Sequence, residues 1–203
     1  MKVWQKYSQY LLSGEWHIHT DYTDGKGSVA DYCRRAAELG IPLVAFTEHI
    51  RRNPGYDFQA YLEDIDRARE QYDLFILSGC EAKVLPDGTL DVEDNVLEQV
   101  DYPIFAFHSF PQDIDVYLDA FYHVLKNPRI NTWAHPGIFL KRAGLHLQEG
   151  ELCLIFKALS NSEVLIELNK RYNAPPDAWI DLARGQQVNF VRGSDCHCVE
   201  DLG

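Results

Sequence analysis

The feature that most restricts this chain is a recurring unit: a short apolar run that stops at a histidine or a carboxylate, then an amphipathic stretch, then another such run. Leu43-Val44-Ala45-Phe46 leads into Thr47-Glu48-His49, Phe75-Ile76-Leu77 into Gly79-Cys80-Glu81, and Ile104-Phe105-Ala106-Phe107 into His108. Ile130 to Ala134 leads into His135-Pro136, Val164-Leu165-Ile166 into Glu167-Leu168-Asn169, and Val188 to Val191 toward Asp195 and His197. Trp16 to Thr20, which carries His17 and His19, makes a seventh. An unbroken apolar run marks a strand buried on both faces. Between the runs, apolar residues recur three and four apart, as in Tyr61, Leu62, Ile65 and Ala68, or Ile114, Tyr117, Leu118, Phe121 and Leu125. That spacing predicts helices.

Strands that alternate with helices imply a parallel sheet built from crossovers. The expected fold is a distorted seven-stranded (βα)7 TIM-like barrel, in which active sites gather at the C-terminal strand ends. An open doubly wound sheet is the alternative, but it does not easily bring seven strand ends to one centre. Ser28 is expected to cap a helix over Val29 to Leu39 that ends at Gly40. Pro175-Pro176 should open a helix that Gly185 closes. Weaker helices are expected over Val92 to Val100 and Leu152 to Leu159.

The 203 residues suit a single domain, with residues 1–14 as an N-terminal segment and 15–203 as the barrel. Val3, Tyr7, Tyr10 and Leu11 predict a short amphipathic helix, and only six residues follow His197. Residues 3–12 are therefore expected to cover the seam that a helix after strand seven would close. No apolar run is long enough for a membrane span, the N-terminus lacks a secretory apolar region, and five irregularly spaced cysteines form no disulfide pattern. A cytoplasmic location is expected. The net charge of −12 argues against nucleic acid as a partner. Three bound dications would halve that charge and concentrate positive potential in one cleft, so a small phosphorylated substrate remains compatible.

Six of the eight histidines (His17, His19, His49, His108, His135 and His197) stand at strand ends, and Asp24, Glu81 and Asp195 add carboxylates to the same layer. Residues two apart on a strand share a face, so His17 with His19, and Asp195 with His197, can each converge on one point. A histidine and carboxylate set without thiolate suits zinc, manganese or iron. Nine candidates exceed the needs of one ion, which implies two or three divalent ions and a bridging carboxylate. By strand alternation Cys196 and Cys198 point away from them.

Together, His17-x-His19-Thr20, Thr23-Asp24-Gly25, Thr47-Glu48-His49, Gly79-x-Glu81, His108, Ala134-His135-Pro136 and Ser194-Asp195-x-His197 resemble the PHP (polymerase and histidinol phosphatase) family. The likeness runs from residue 16 to the end with the motifs in family order. The Thr-Glu-His form, and the basic pair Lys141-Arg142 after His-Pro, resemble its histidinol-phosphatase branch. The resemblance implies a trinuclear metal centre: His17, His19, Glu81 and Asp195 around one ion, Glu81 bridging to a second held by His108 and His135, and Asp24, His49 and His197 around a third. It further implies hydrolysis of phosphate esters, most simply a small monoester, by a hydroxide bridging the ions. The expected proton donor to the leaving group is a metal-bound water, or His197 or His49 if one ion is absent. Arg51, Arg52, Lys141, Arg142, Lys170 and Arg171 are expected at the rim to grip phosphate, with Asn169 as a further substrate contact. A phosphodiesterase or nuclease, a protein-tyrosine phosphatase and a non-catalytic module are the alternatives.

Overall fold

A computed structural model describes residues 1–203. Seven strands, β1 (Glu15–Ile18), β2 (Leu43–Ile50), β3 (Phe75–Lys83), β4 (Tyr102–Ala106), β5 (Thr132–Trp133), β6 (Leu165–Asn169) and β7 (Phe190–Gly193), pair in sequence order, every pair parallel. A parallel bridge from Ile18 to Cys196 brings the last strand back to the first. There His19 N donates to Cys196 O at 2.9 Å and Cys196 N to His17 O at 3.1 Å. The result is a nearly closed barrel, as the alternation predicts.

Helices occupy the crossovers: α1 (Val3–Lys6) precedes the barrel, followed by α2 (Val29–Leu39), α3 (Phe58–Gln71), α4 (Asp94–Leu97), α5 (Ile114–Val124), α6 (Ile138–Ala143), α7 (Glu149–Asn161) and α8 (Asp177–Gly185). The ends of α2 fall where the sequence puts them. Ser28 Oγ accepts from Asp31 N, a carboxylate oxygen of Asp31 accepts in turn from Ser28 N, and Gly40 closes the helix at φ 67°. The helix expected over Val92 to Val100 shrinks to α4. An antiparallel bridge between Val84 and Leu90 and the bond from Asp91 N to Lys83 O hold the chain before it extended. β7 begins two residues later than expected, because Val188 N is used to terminate α8 on Ala183 O.

Strand parity divides the core. Leu43, Ala45, Leu77, Tyr102, Ile104, Ala106, Leu165 and Val191 form one buried cluster. Their neighbours of opposite parity, such as Val44, Phe46, Phe105 and Ile166, pack in two other clusters with helical residues. The first set is the barrel interior and the second lies between sheet and helices, as alternation along strands demands. In β1 the register shifts between Glu15 and Ile18, and Trp16 joins the inner cluster while Ile18 packs outward.

The expected role of residues 3–12 needs correction. Only one α-turn (α1) and one 3₁₀ turn (Ser8–Tyr10) form there, and Trp4 and Leu11 join the inner cluster with Trp16 and Tyr102. Trp4 Nε1 donates to Glu163 O at 3.0 Å, and Arg192 N to Leu11 O at 2.8 Å. The segment plugs the end of the barrel opposite the histidines. The β1–β7 seam is instead packed by Cys196, Val199 and Leu202 against Val29, Tyr32 and Cys33. No helix is long and apolar enough to cross a membrane.

Candidate metal centre

Continuing the inward parity past the apolar layers gives His49 on β2, Glu81 on β3, His108 beyond β4, Glu167 and Asn169 on β6, and Gly193 and Asp195 at the end of β7. The lining therefore changes from apolar to ligand-bearing toward the C-terminal strand ends, directly on β4 and β6 and after Thr47 and Gly79 on β2 and β3, and the nine candidate side chains converge at that mouth.

His17 Nε2 lies 3.0 Å from His19 Nε2, and these nitrogens stand 3.8 and 3.4 Å from Asp195 Oδ1. Glu81 Oε2 is 3.9 Å from His17 Nε2, 3.7 Å from His19 Nε2 and 2.8 Å from His49 Nδ1. Its other oxygen faces His135 Nε2 at 2.7 Å and His108 Nε2 at 3.2 Å. Asp24 reaches His49 Nε2 at 3.6 Å and His197 Nε2 at 3.2 Å. The groupings overlap: His19 also lies within ligand distance of the Asp24, His49 and His197 set. Burial is graded, since Asp24 is 55 % exposed while His17, His19 and Glu81 are closed to solvent.

The donor set fits divalent cations. Two imidazole nitrogens 3.0 Å apart and the buried carboxylate oxygen Glu81 Oε2, which stands 3.7 to 3.9 Å from both with only the His49 ring nearer, aim at one point. Buried polar atoms normally find partners, and a cation satisfies these together. The buried carboxylates leave a surplus of negative charge that a cation would balance, and His17 would give up a proton as the ion binds. Burial would raise the carboxyl of Glu81, yet His108, His135 and His49 hold it well below the usual range. Burial works the same way on Asp195, but His17 and His19 bring it down to about 2. Burial would lower His17, and Glu167, Asp195 and Glu81 outweigh it to raise the ring to about 10. His19, where burial prevails, falls to about 4.

Three buried carboxylates support the centre, and none is among the site residues expected from sequence. Glu48 Oε1 accepts from Thr20 N at 2.8 Å and its other oxygen from Thr23 Oγ1, which pins the loop that carries Asp24. Glu15 accepts from Ser194 N at 2.7 Å, and burial pushes its carboxyl up to about 7 despite that bond and nearby Arg192. Glu167 Oε1 sits 2.6 Å from His17 Nδ1. The signal available in the sequence was a lone acid of inward parity inside an apolar run, as in Leu165-Ile166-Glu167.

The cavity at the mouth measures about 140 Å³ and is lined by Asp24, Glu81, the four histidines His49, His108, His135 and His197, and the basic pair Arg142 and Arg171, with Tyr172 between. Both guanidinium groups lie over the Tyr172 ring, at 5.1 and 5.6 Å. Arg171 Nη1 also contacts His197 Nδ1. A wider cavity of about 640 Å³ adjoins it, sharing Asp24, Arg171, Asp195 and His197, and Lys170 lies along that one. The other expected rim contacts fall elsewhere. Arg51 and Arg52 turn toward Asp91 and Glu93, at 3.8 and 3.9 Å, and neither they nor Lys141 line the 140 Å³ cavity. Asn169 is buried and occupied at both ends, donating to Glu167 Oε2 at 3.0 Å and accepting from Tyr172 N at 3.0 Å, so its role is internal support. Cys196 packs into the outer cluster, as alternation predicts, and both it and Cys198 border the wider cavity.

Comparison with known proteins places this geometry in a family. The chain is 29 % identical over 208 residues to the DNA polymerase/3'-5' exonuclease PolX of Bacillus subtilis, covering 94 % of this chain but 35 % of that protein. It is 28 % identical over 200 residues to a protein named "Probable phosphatase" in Acetivibrio thermocellus, covering 92 % and 80 % respectively. A similar match to CA_C0509 of Clostridium acetobutylicum spans 64 % of this chain and 54 % of that one, so the chain amounts to between a third and four fifths of these relatives. Among solved structures, the histidinol phosphate phosphatase of Lactococcus lactis, complexed with zinc, L-histidinol and phosphate, superposes with a TM-score of 0.69 at 17 % identity over 93 % of this chain and 88 % of that one. The PHP domain model matches residues 15–184. The chain belongs to the PHP domain family.

Proposed function

We propose that the chain is a metal-dependent phosphoesterase that hydrolyses phosphate monoesters of small molecules. The observation that carries this reading is that Arg142 and Arg171 line one cavity of about 140 Å³ together with seven of the nine ligand-type side chains, with His17 and His19 buried against Glu81 and Asp195 beneath them. Two to three divalent ions would be held by His17, His19, Glu81 and Asp195, by Glu81, His108 and His135, and by Asp24, His49 and His197. Bound there, zinc, manganese or iron would supply an activated water at neutral pH and neutralise charge on the phosphoryl oxygens.

The chain's own groups do the rest. Arg142 and Arg171, held over Tyr172, offer planar donor sets suited to phosphoryl oxygens and orient the group for in-line attack. The small cavity admits a phosphoryl group and leaves the substrate body in the wider, mixed-charge space that Lys170 borders. Buried Glu81 and Asp195 stay ionised through the working pH range, which keeps the ligand set competent. With the Asp24 group unfilled, His197 Nε2 is the atom placed to hand a proton to the leaving oxygen, with His49 beside it.

Support for a phosphatase comes from the Acetivibrio thermocellus relative, and for a substrate of the histidinol phosphate kind from the likeness to the Lactococcus lactis fold. One observation favours a phosphodiester substrate instead, the identity to PolX over nearly the whole chain. Hydrolysis of p-nitrophenyl phosphate and bis-p-nitrophenyl phosphate, with manganese or zinc added, separates the two. The monoester should turn over at least about tenfold faster in kcat/KM, a difference of about 1.4 kcal/mol in barrier. Preference for the diester would transfer the proposal to the phosphodiesterase reading.

A further inference from the structure

We infer that Glu167 is the positioning residue of this centre, fixing the ligating form of His17 and the backbone of His135 with a single carboxylate. The inference rests on the metal-centre reading above. His17 Nδ1 and Glu167 Oε1 are 2.6 Å apart, and both side chains are 1 % exposed. A ring that donates from Nδ1 keeps its lone pair on Nε2, the atom that faces His19, Asp195 and Glu81. The second oxygen, Oε2, accepts the peptide N–H of His135 and the Asn169 amide. Three donors thus converge on one acid, and two of them belong to ligand residues delivered by different strands.

His135 gives the second oxygen its importance. Its φ is 31°, in the left-handed region that residues other than glycine rarely adopt. Holding its N–H there aims the ring so that Nε2 meets Glu81 Oε1 at 2.7 Å. β7 is shaped around the same carboxylate: a Cβ on Gly193 would lie 2.0 Å from Glu167 Oε1. Any other residue at 193 would drive Glu167 off His17, although no donor or acceptor had been changed.

An ionised carboxylate offers acceptors at both oxygens, whereas glutamine offers one acceptor and one donor. Glu167→Gln keeps the shape but can serve His17 or the His135 and Asn169 pair, never both. The test reconstitutes wild type, Glu167→Gln and Gly193→Ala with zinc and follows zinc transfer to a competing chelator. The His17 tautomer is read in parallel by long-range proton–nitrogen NMR. Wild type should show His17 protonated at Nδ1, and Glu167→Gln should lower the affinity of the most tightly held zinc by about 10- to 100-fold and disturb that tautomer. Gly193→Ala should do the same if it folds; Glu167→Gln decides the matter if it does not. Zinc affinity within twofold of wild type and an unchanged His17 tautomer in Glu167→Gln would overturn the inference while leaving the metal centre standing. Failure of wild type itself to take up zinc, manganese or iron would remove the reading on which the inference rests.

Discussion

Glu81 is the residue on which the centre converges, with histidines from four other strands within 4 Å of its two oxygens and no solvent to share the load. Its replacement by alanine should remove more than one ion per chain, a loss that elemental analysis reads directly; retention of full metal content would show that Glu81 bridges nothing. In chelator-treated protein the same charges should govern stability. His17 is protonated in the fold up to about pH 10 but ordinarily only to 6.5, so its contribution is complete below the ordinary value and is lost as pH rises through the folded one. Asp195 acts in the opposite sense: its contribution is present above 3.8 and is lost as pH falls through about 2. The unfolding temperature of the metal-free protein should therefore decline from pH 6.5 toward 10, and Glu167→Gln should flatten that decline. A flat profile in wild type would contradict the proposed ion pairing. The convergence of the nine ligand-type side chains was legible because six histidines and three carboxylates recur at the same place relative to their strands. Glu15 and Glu167 carry no assigned role at the level of sequence because an acid inside an apolar strand announces burial without naming its partner. Arg51 and Arg52 were misplaced because rim position does not say which way a long side chain turns.

At the level of elements, the parallel alternation was legible because the central strands open on unbroken apolar runs and each main helix carries a one-sided stripe. What was not legible were segments whose shape depends on distant partners. Residues 3–12 have helical spacing, but Trp4 and Leu11 gain more by entering the barrel end than a continuous helix would. Trp4→Ala should cost about 3–5 kcal/mol, measured by denaturant unfolding, and removal of residues 1–12 should cost more. Unfolding unchanged by either would mean that the plug contributes nothing. The loop after β1 makes a second element-scale case. A Cβ on Gly25 would come within 2.1 Å of His19 O, and Gly25 N is bonded to Thr20 O at 2.9 Å, so the turn that presents Asp24 admits no side chain there. Gly25→Ala should release the ion of the Asp24, His49 and His197 group while the buried ions stay, giving a chain that is folded but about one ion short. Loss of every ion would show that the groups are not separable.

For the whole molecule, the gradient of burial and charge explains how an acidic protein could draw in a phosphorylated substrate. The ligand cluster is almost sealed at its base, opens through Asp24, and carries Arg142 and Arg171 at its rim. Removing either guanidinium should reduce kcat/KM for a phosphate monoester by about 10- to 100-fold, the range for a charge-assisted hydrogen bond of roughly 1.5–3 kcal/mol. Arg51→Met should have no such effect, and equal losses in steady-state kinetics at all three positions would deny the cavity its assigned role. Nine side chains from across the barrel would form one metal centre. Elemental analysis of the purified protein, reconstituted with zinc, manganese or iron and coupled to a p-nitrophenyl phosphate assay, tests it most directly. The account predicts two to three ions per chain and turnover abolished in His135→Ala. Fewer than one ion per chain after reconstitution would contradict it.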